Sequence, residues 1–120
     1  MQHLEEFRDY CLSLKAVSES TPFGPDTLVF KVMNKMFALT GLESDDFKVN
    51  LKCNPEWAVQ LRSESEYIQP GYHQNKKHWN TVDFKHIPEM QKKLLILHSY
   101  ELVIATFTKA EKIAFNSLNE

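Results

Sequence analysis

Three strand-like runs crowd into the first half of this chain, and the links between them are too short for anything but hairpins. The runs are Thr27 to Val32, Met36 to Thr40 and Phe47 to Leu51, rich in β-branched and aromatic residues. A parallel crossover needs about a dozen residues or more. Met33-Asn34-Lys35 and the turn-rich Gly41 to Asp46 are far shorter, so the pairing they allow is antiparallel. Asn34 also tolerates the positive φ of a tight turn. In the third run Phe47, Val49 and Leu51 alternate with Lys48, Asn50 and Lys52. One face of the sheet is therefore packed and the other is wet.

Helices flank these runs. Leu4, Phe7, Cys11 and Leu14 recur at helical spacing and predict a first helix. Thr21 to Asp26 holds two prolines and a glycine, which break any helix. It is read as an ordered loop, with Phe23 plugging the core. Asn54-Pro55-Glu56 is a helix start, combining an N-cap, proline at the first position and an acid in the first turn. Trp57, Ala58 and Leu61 give that helix its buried stripe. Residues 65–76 form a loop around Pro70-Gly71, and Lys77 to Asp83 is a fourth strand. Pro88 opens a long helix to about Phe107. Its first half is amphipathic through Met90, Leu94 and Leu97, and its second half is apolar on most sides. Thr108 with Glu111 fits a capping box, so a short last helix carries Ile113, Ala114 and Leu118. The expected architecture is one α+β domain over residues 1–120, in the order α-βββ-α-β-α with a short extra helix. Its sheet is antiparallel and four-stranded, with the helices packed on one face.

Charge narrows function more than composition does. The net charge is −2, which disfavours an indiscriminate nucleic-acid binder. Its distribution is uneven. Residues 1–26 carry five acids and two bases, whereas residues 72–93 carry five lysines and three histidines against two acids. A basic region on an acidic molecule can orient a polyanion. No run approaches the roughly 18 apolar residues of a membrane span. The acidic N-terminus does not fit an export or transit signal, so a soluble, cytoplasmic protein is expected. Cys11 and Cys53 form no metal spacing, and free thiols are expected. Cys11 lies on an apolar stripe. Cys53 sits beside Lys52 before a helix start, a setting that can lower a thiol pKa, although an ordinary unreactive thiol is the expectation.

The densest chemistry lies between Pro70 and Thr81, where Tyr72, His73, Gln74, Asn75, Lys76, Lys77, His78, Trp79 and Asn80 follow one another. Lysines neutralise phosphates, carboxamides and imidazoles bond base edges or backbone, and rings stack. The plain structural alternative is that Trp79 is core, Asn80 bonds a neighbouring backbone and the lysines are solvated. The segment also divides in two. Tyr72 to Lys76 is the ligand-facing half, while His78 and Trp79 anchor it to the sheet and Tyr100 and Glu101 hold it from the long helix.

The ordered blocks Phe23-Gly24-Pro25-Asp26 with Val29-Phe30-Lys31-Val32, Lys35-Met36-Phe37-Ala38-Leu39, Leu51-Lys52-Cys53-Asn54-Pro55-Glu56, Pro70-Gly71-Tyr72-His73 through Asn75 to Val82, and His98-Ser99-Tyr100-Glu101-Leu102-Val103 resemble the MmcQ/YjbR family of small bacterial proteins. The resemblance covers about residues 4–107 and leaves out the tail beyond Thr108. It implies a frataxin-like (CyaY-like) fold with hairpins arranged as a double wing, and a DNA-binding role. This chain has Met33-Asn34 where many relatives of that family carry Gly-Gly at the first hairpin, so the resemblance does not require a close ligand approach there.

Three functions are weighed. The first is DNA binding through Lys31, Lys48 and Lys52 on the open sheet face, with Tyr72, His73, Asn75, Lys76 and Lys77 beside it. The second is a regulatory module that binds a protein partner and no nucleic acid. The third is an enzyme or metal site. The histidines are scattered and lack a zinc motif, although a Glu101–Lys77 or Glu101–His78 pair is conceivable chemistry. Iron would need clustered carboxylates. Glu5, Glu6 and Asp9, and the acidic turn of Glu43, Asp45 and Asp46, are read as solvated charge. A non-enzymatic, monomeric protein with no catalytic residue, cofactor or bound metal is the expectation.

Overall fold

A computed structural model describes residues 1–42, 45–71 and 74–118. The elements run α1 (Leu4–Ser13), β1 (Val17–Ser20), β2 (Thr27–Val32), β3 (Lys35–Gly41), β4 (Lys48–Lys52), α2 (Pro55–Glu64), β5 (Ile68–Pro70), β6 (Trp79–Asp83), α3 (Glu89–Ala105) and α4 (Lys109–Asn116). The strands form one antiparallel sheet in the order β1-β2-β3-β4-β6-β5.

The sheet has six strands, not four. The two extra strands are its edges, β1 and β5, of four and three residues. Val-Ser-Glu-Ser and Ile-Gln-Pro are too short and too polar to display the periodicity of a strand. The fourth expected strand begins at Trp79 rather than Lys77, because residues 76–78 are a turn.

The β2–β3 link is a two-residue turn with both central residues at positive φ, Met33 at 49° and Asn34 at 71°. Such turns match the twist of the strands they join. Methionine is costly there, and its side chain recovers part of that cost by packing against the core. A bulge interrupts the same hairpin. Phe30 pairs with Ala38 but Lys31 pairs with Met36, so Phe37 is the extra residue. Phe37 is fully buried, and its ring meets Tyr100 edge-on at 5.5 Å.

The core lies between the sheet and the helices. Phe7 of α1 meets Phe30, Phe84 and Phe47 edge-on at 5.4, 5.6 and 6.0 Å. α2 starts as expected, with Asn54 Oδ1 accepting from the amides of Glu56 and Trp57 at 3.0 and 3.3 Å. Ala58 and Leu61 are buried, and Trp57 lies edge-on to the His98 ring at 4.5 Å.

α3 turns the opposite way to the expected phase. Leu95, Ile96, Ser99, Tyr100 and Val103 face the core, while Met90 is 85 % and Leu94 55 % exposed. The helix carries apolar residues on two sides, so hydrophobic spacing alone does not select the core side. Ser99 makes the selection visible: its hydroxyl donates to Phe37 O at 2.5 Å and accepts from Lys52 N at 2.9 Å. The Thr108–Glu111 capping box closes the start of α4 as predicted. That helix docks through Phe115, which meets Phe107 at 5.8 Å, whereas Ile113 and Leu118 stay exposed. Phe23 does not plug the core; it is 66 % exposed. Among the described residues, no helix is long and apolar enough to cross a membrane.

Candidate functional site

Among the described residues, every helix turns its packed side chains into one cluster, and two buried apolar residues, Val29 and Trp79, stand outside it. Both belong to the other face of the sheet. Register places Ser20, Val29, Leu39, Asn50, Thr81 and Gln69 in one row across that face. Thr81 Oγ1 donates to Asn50 Oδ1 at 2.7 Å in the middle of the row. Lys31 lies opposite Met36, Lys52 opposite Trp79 and Lys48 opposite Asp83. The strand alternation therefore brings the three expected lysines, Lys31, Lys48 and Lys52, to one face.

Their surroundings differ. Directly opposed residues on a sheet have side chains about 5 Å apart. Lys48 thus faces a carboxylate, and a small polar cavity of about 120 Å³ beside it is lined by Glu66, Tyr67, Gln69, Thr81 and Asp83. Asp83 also accepts from Lys85 N at 3.0 Å and contacts His86 Nδ1 at 2.8 Å, with the Tyr67 ring stacked on His86 at 4.8 Å. Lys52 faces an indole, and no acid opposes it across the strand pair.

The basic segment enters at the Lys52 end. Asn75 Oδ1 accepts from Lys77 N at 3.0 Å and His78 N donates to Asn75 O at 3.1 Å, which closes a tight turn. Lys76 and Lys77 are exposed on that turn. Cys53 N donates to His78 O at 2.8 Å, and Gly71 N donates to Trp79 O at 2.8 Å. A side chain at position 71 would start 2.7 Å from Trp79 Cβ, so only glycine fits this approach. The backbone carbonyls of His78 and Trp79 thus tie this stretch to Cys53 and Gly71. Tyr72 and His73 lie outside the described residues.

The residue that sequence reasoning missed is Arg62. From the last turn of α2 its Nε donates to Asn80 Oδ1 at 2.6 Å, and its Nη2 donates to Lys76 O and, at 3.3 Å, to Trp79 O. One planar guanidinium thus ties the turn and the start of β6 to a helix. An arginine near a helix end ordinarily reads as a partner of the helix dipole. Nothing local points to acceptors 14 to 18 residues away.

Among the described residues, α3 brings His98 and Ser99 to this end. His98 Nε2 accepts from Asn54 N at 3.1 Å, and burial holds this imidazole's pKa below its ordinary value against an opposing pull from Glu101. Tyr100 reaches elsewhere among the described residues, donating to Lys15 O at 2.6 Å. Glu101 is exposed and forms no ion pair with Lys77 or His78. Burial pushes the Cys53 thiol up to about 11, outweighing a favourable charge from Arg62, which fits the unreactive thiol expected there. Cys11 is raised further, by burial alone. Among the described residues, no three His, Cys, Asp or Glu side chains converge as a metal site.

The fold and its open face define a small α+β protein with a one-sided helical layer and a basic turn clamped to one end of its sheet. The family model described as YjbR matches residues 12–102, and the chain belongs to that family. It is 36 % identical over 110 residues to the Escherichia coli O157:H7 uncharacterized protein YbdF, covering 90 % of this chain and 89 % of that one. It is 34 % identical over 99 residues to Bacillus subtilis uncharacterized protein YyaQ, covering 82 % and 79 %. Among solved structures, Deinococcus radiodurans protein DR2400, described as a DUF419 domain, superposes with a TM-score of 0.90 at 40 % identity, over 97 % of this chain and 89 % of that one. A Pseudomonas syringae protein superposes at 0.71 with 29 % identity, over 83 % and 97 %.

Proposed function

We propose that this protein is a non-enzymatic binding protein that holds the sugar-phosphate backbone of DNA against the Lys52–Trp79 end of its open sheet face. The observation that carries the reading is convergence. Lys52, on a rigid central strand, and Lys76 and Lys77, on a turn clamped by Arg62, sit at one end of the β4–β6 pair. Lys31 lies on the same face. Lysines on fixed elements contact phosphates without paying again for ordering at the moment of binding. The frataxin-like, winged arrangement belongs to this reading, with the β1–β2 and β2–β3 hairpins as wings.

The test is fluorescence anisotropy with labelled duplex and single-stranded DNA. Binding at about 50 mM salt should weaken on a log–log plot with a slope of about −3 to −4, corresponding to roughly four phosphates. Absence of binding to both forms at that salt sinks the DNA reading. The net charge of −2 favours a second reading, in which the same face takes a protein partner instead. Crosslinking from a residue introduced at Lys76 then captures a protein in cells, while the anisotropy stays flat.

A further inference from the structure

The outward side of α3 is built as a helix-pairing seam. Met90, Leu94, Leu97, Glu101 and Ile104 recur at spacings of four and three, the repeat of a coiled-coil seam. Met90, Leu94 and Glu101 are exposed and Leu97 is half-buried, while Ile104, also half-buried, packs in part against the core that takes Leu95, Ile96, Ser99, Tyr100 and Val103. Met90 is 85 % and Leu94 55 % exposed, an unusual pair of side chains to leave in water on adjacent turns. Between Met90 and Ala105 the exposed charged residues of α3 are Lys93 and Glu101. Neither has an ion-pair partner among the described residues.

The spacing of those charges selects the occupant. Lys93 lies four residues before Leu97 and Glu101 four after; Met90 lies seven before and Ile104 seven after. A two-fold axis at Leu97 therefore sets an antiparallel copy of α3 with Leu97 on Leu97, Met90 against Ile104 and Lys93 against Glu101. Both exposed charges are satisfied, twice over by symmetry, and a closed two-fold interface results. A parallel copy in register sets Lys93 on Lys93 and Glu101 on Glu101 at its flanks. We infer that two copies of this chain associate through antiparallel α3 helices about Leu97. The seam is about 22 Å long. That places it with the small interfaces, under about 1,200 Å² in total, whose complexes are weak. A reversible dimer with a Kd of about 100 µM is expected, in place of the monomer that the sequence favours.

Charge reversal tests this pairing and no other. Sedimentation equilibrium from about 10 µM to about 1 mM should show the wild-type chain passing from monomer to dimer. Lys93→Glu alone, or Glu101→Lys alone, sets two like-charge pairs across the seam and should weaken association by about tenfold or more. An equimolar mixture of the two single variants restores both pairs and should recover wild-type association as a mixed dimer. Met90→Lys, at a highly exposed position, is a second break that needs no charge partner. Circular dichroism melts matching the wild type confirm that all variants are folded. A wild-type chain that stays monomeric at about 1 mM, single variants that associate like the wild type, or a mixture that stays monomeric each overturn the proposal. The sheet face is absent from this contact, so these results are independent of DNA binding.

Discussion

The two ends of the β4–β6 pair present the same residue, lysine, on the same face, yet they are chemically opposite. At one end Lys48 lies across from Asp83 in the register and shares a cavity with Glu66, so acids stand beside it. At the other end Lys52 lies across from Trp79 and adjoins the turn that carries Lys76 and Lys77. The neutral end is held by Asp83 together with Lys85, His86 and Tyr67, which lie just beyond its strands. The basic end is held from outside the sheet, by Arg62 of α2 and by Ser99 and His98 of α3. An alternating strand places charges on a face, but its neighbours decide which of them stay available.

Breaking the basic end should cost most at its clamp. Arg62→Ala removes three hydrogen bonds and leaves the carboxamide of Asn80, 2 % exposed, without this donor. A loss of about 3 kcal/mol in urea unfolding is expected, together with loss of DNA binding. A variant as stable as wild type would show that the clamp is not a structural tie. Ser99→Ala removes the bridge between Phe37 O and Lys52 N and should cost about 2 kcal/mol in the same measurement. It should shift the Lys52 amide resonance while leaving that of Lys48 in place.

The lysines themselves give the sharpest contrast. Lys52→Glu should weaken DNA binding about tenfold and flatten the salt slope by about one contact. Lys48→Glu should weaken binding less than Lys52→Glu does, since Asp83 and Glu66 already make that end a poorer place for a phosphate. Equal losses in the anisotropy assay would erase the distinction between the ends.

The His98 contact makes the basic end sensitive to acid. Its folded pKa lies below the ordinary value of 6.5, so on acidification the unfolded chain takes up this proton first. Stability is therefore full above 6.5 and falls as pH drops through that value toward the folded pKa. The protonated ring also cannot accept from Asn54 N. The melting temperature should drop between about pH 7.5 and about pH 5.5, and His98→Gln should flatten that dependence. The smallest expected effect is at the neutral end, where Asp83→Asn should raise DNA affinity about twofold by removing the carboxylate across from Lys48.

The sheet's middle strands, the Asn54-Pro55 helix start and the Thr108–Glu111 cap were legible because each is a local signal. So was the shared face of Lys31, Lys48 and Lys52, which follows from period-two alternation. Contacts across the fold were not legible. Arg62 meets acceptors on a distant turn, and Ser99 bridges two strands from a third element, with no spacing to advertise either. The orientation of α3 was misread for a related reason. Met90, Leu94 and Leu97 form a regular apolar stripe, but the core had a second one to use. Lys48 and Lys52 looked equivalent because strand neighbours are invisible until register is known.

The brevity of the outermost strands bears on what the sheet refuses to do. β1 spans four residues, Val-Ser-Glu-Ser, and β5 spans three and stops at Pro70, which lacks an amide hydrogen. Neither rim offers a long ladder of unsatisfied backbone groups to another chain. Sideways growth into stacked ribbons is discouraged at both margins, whatever the concentration. The molecule can thus leave one face of its sheet without a helical cover and still not template fibrils.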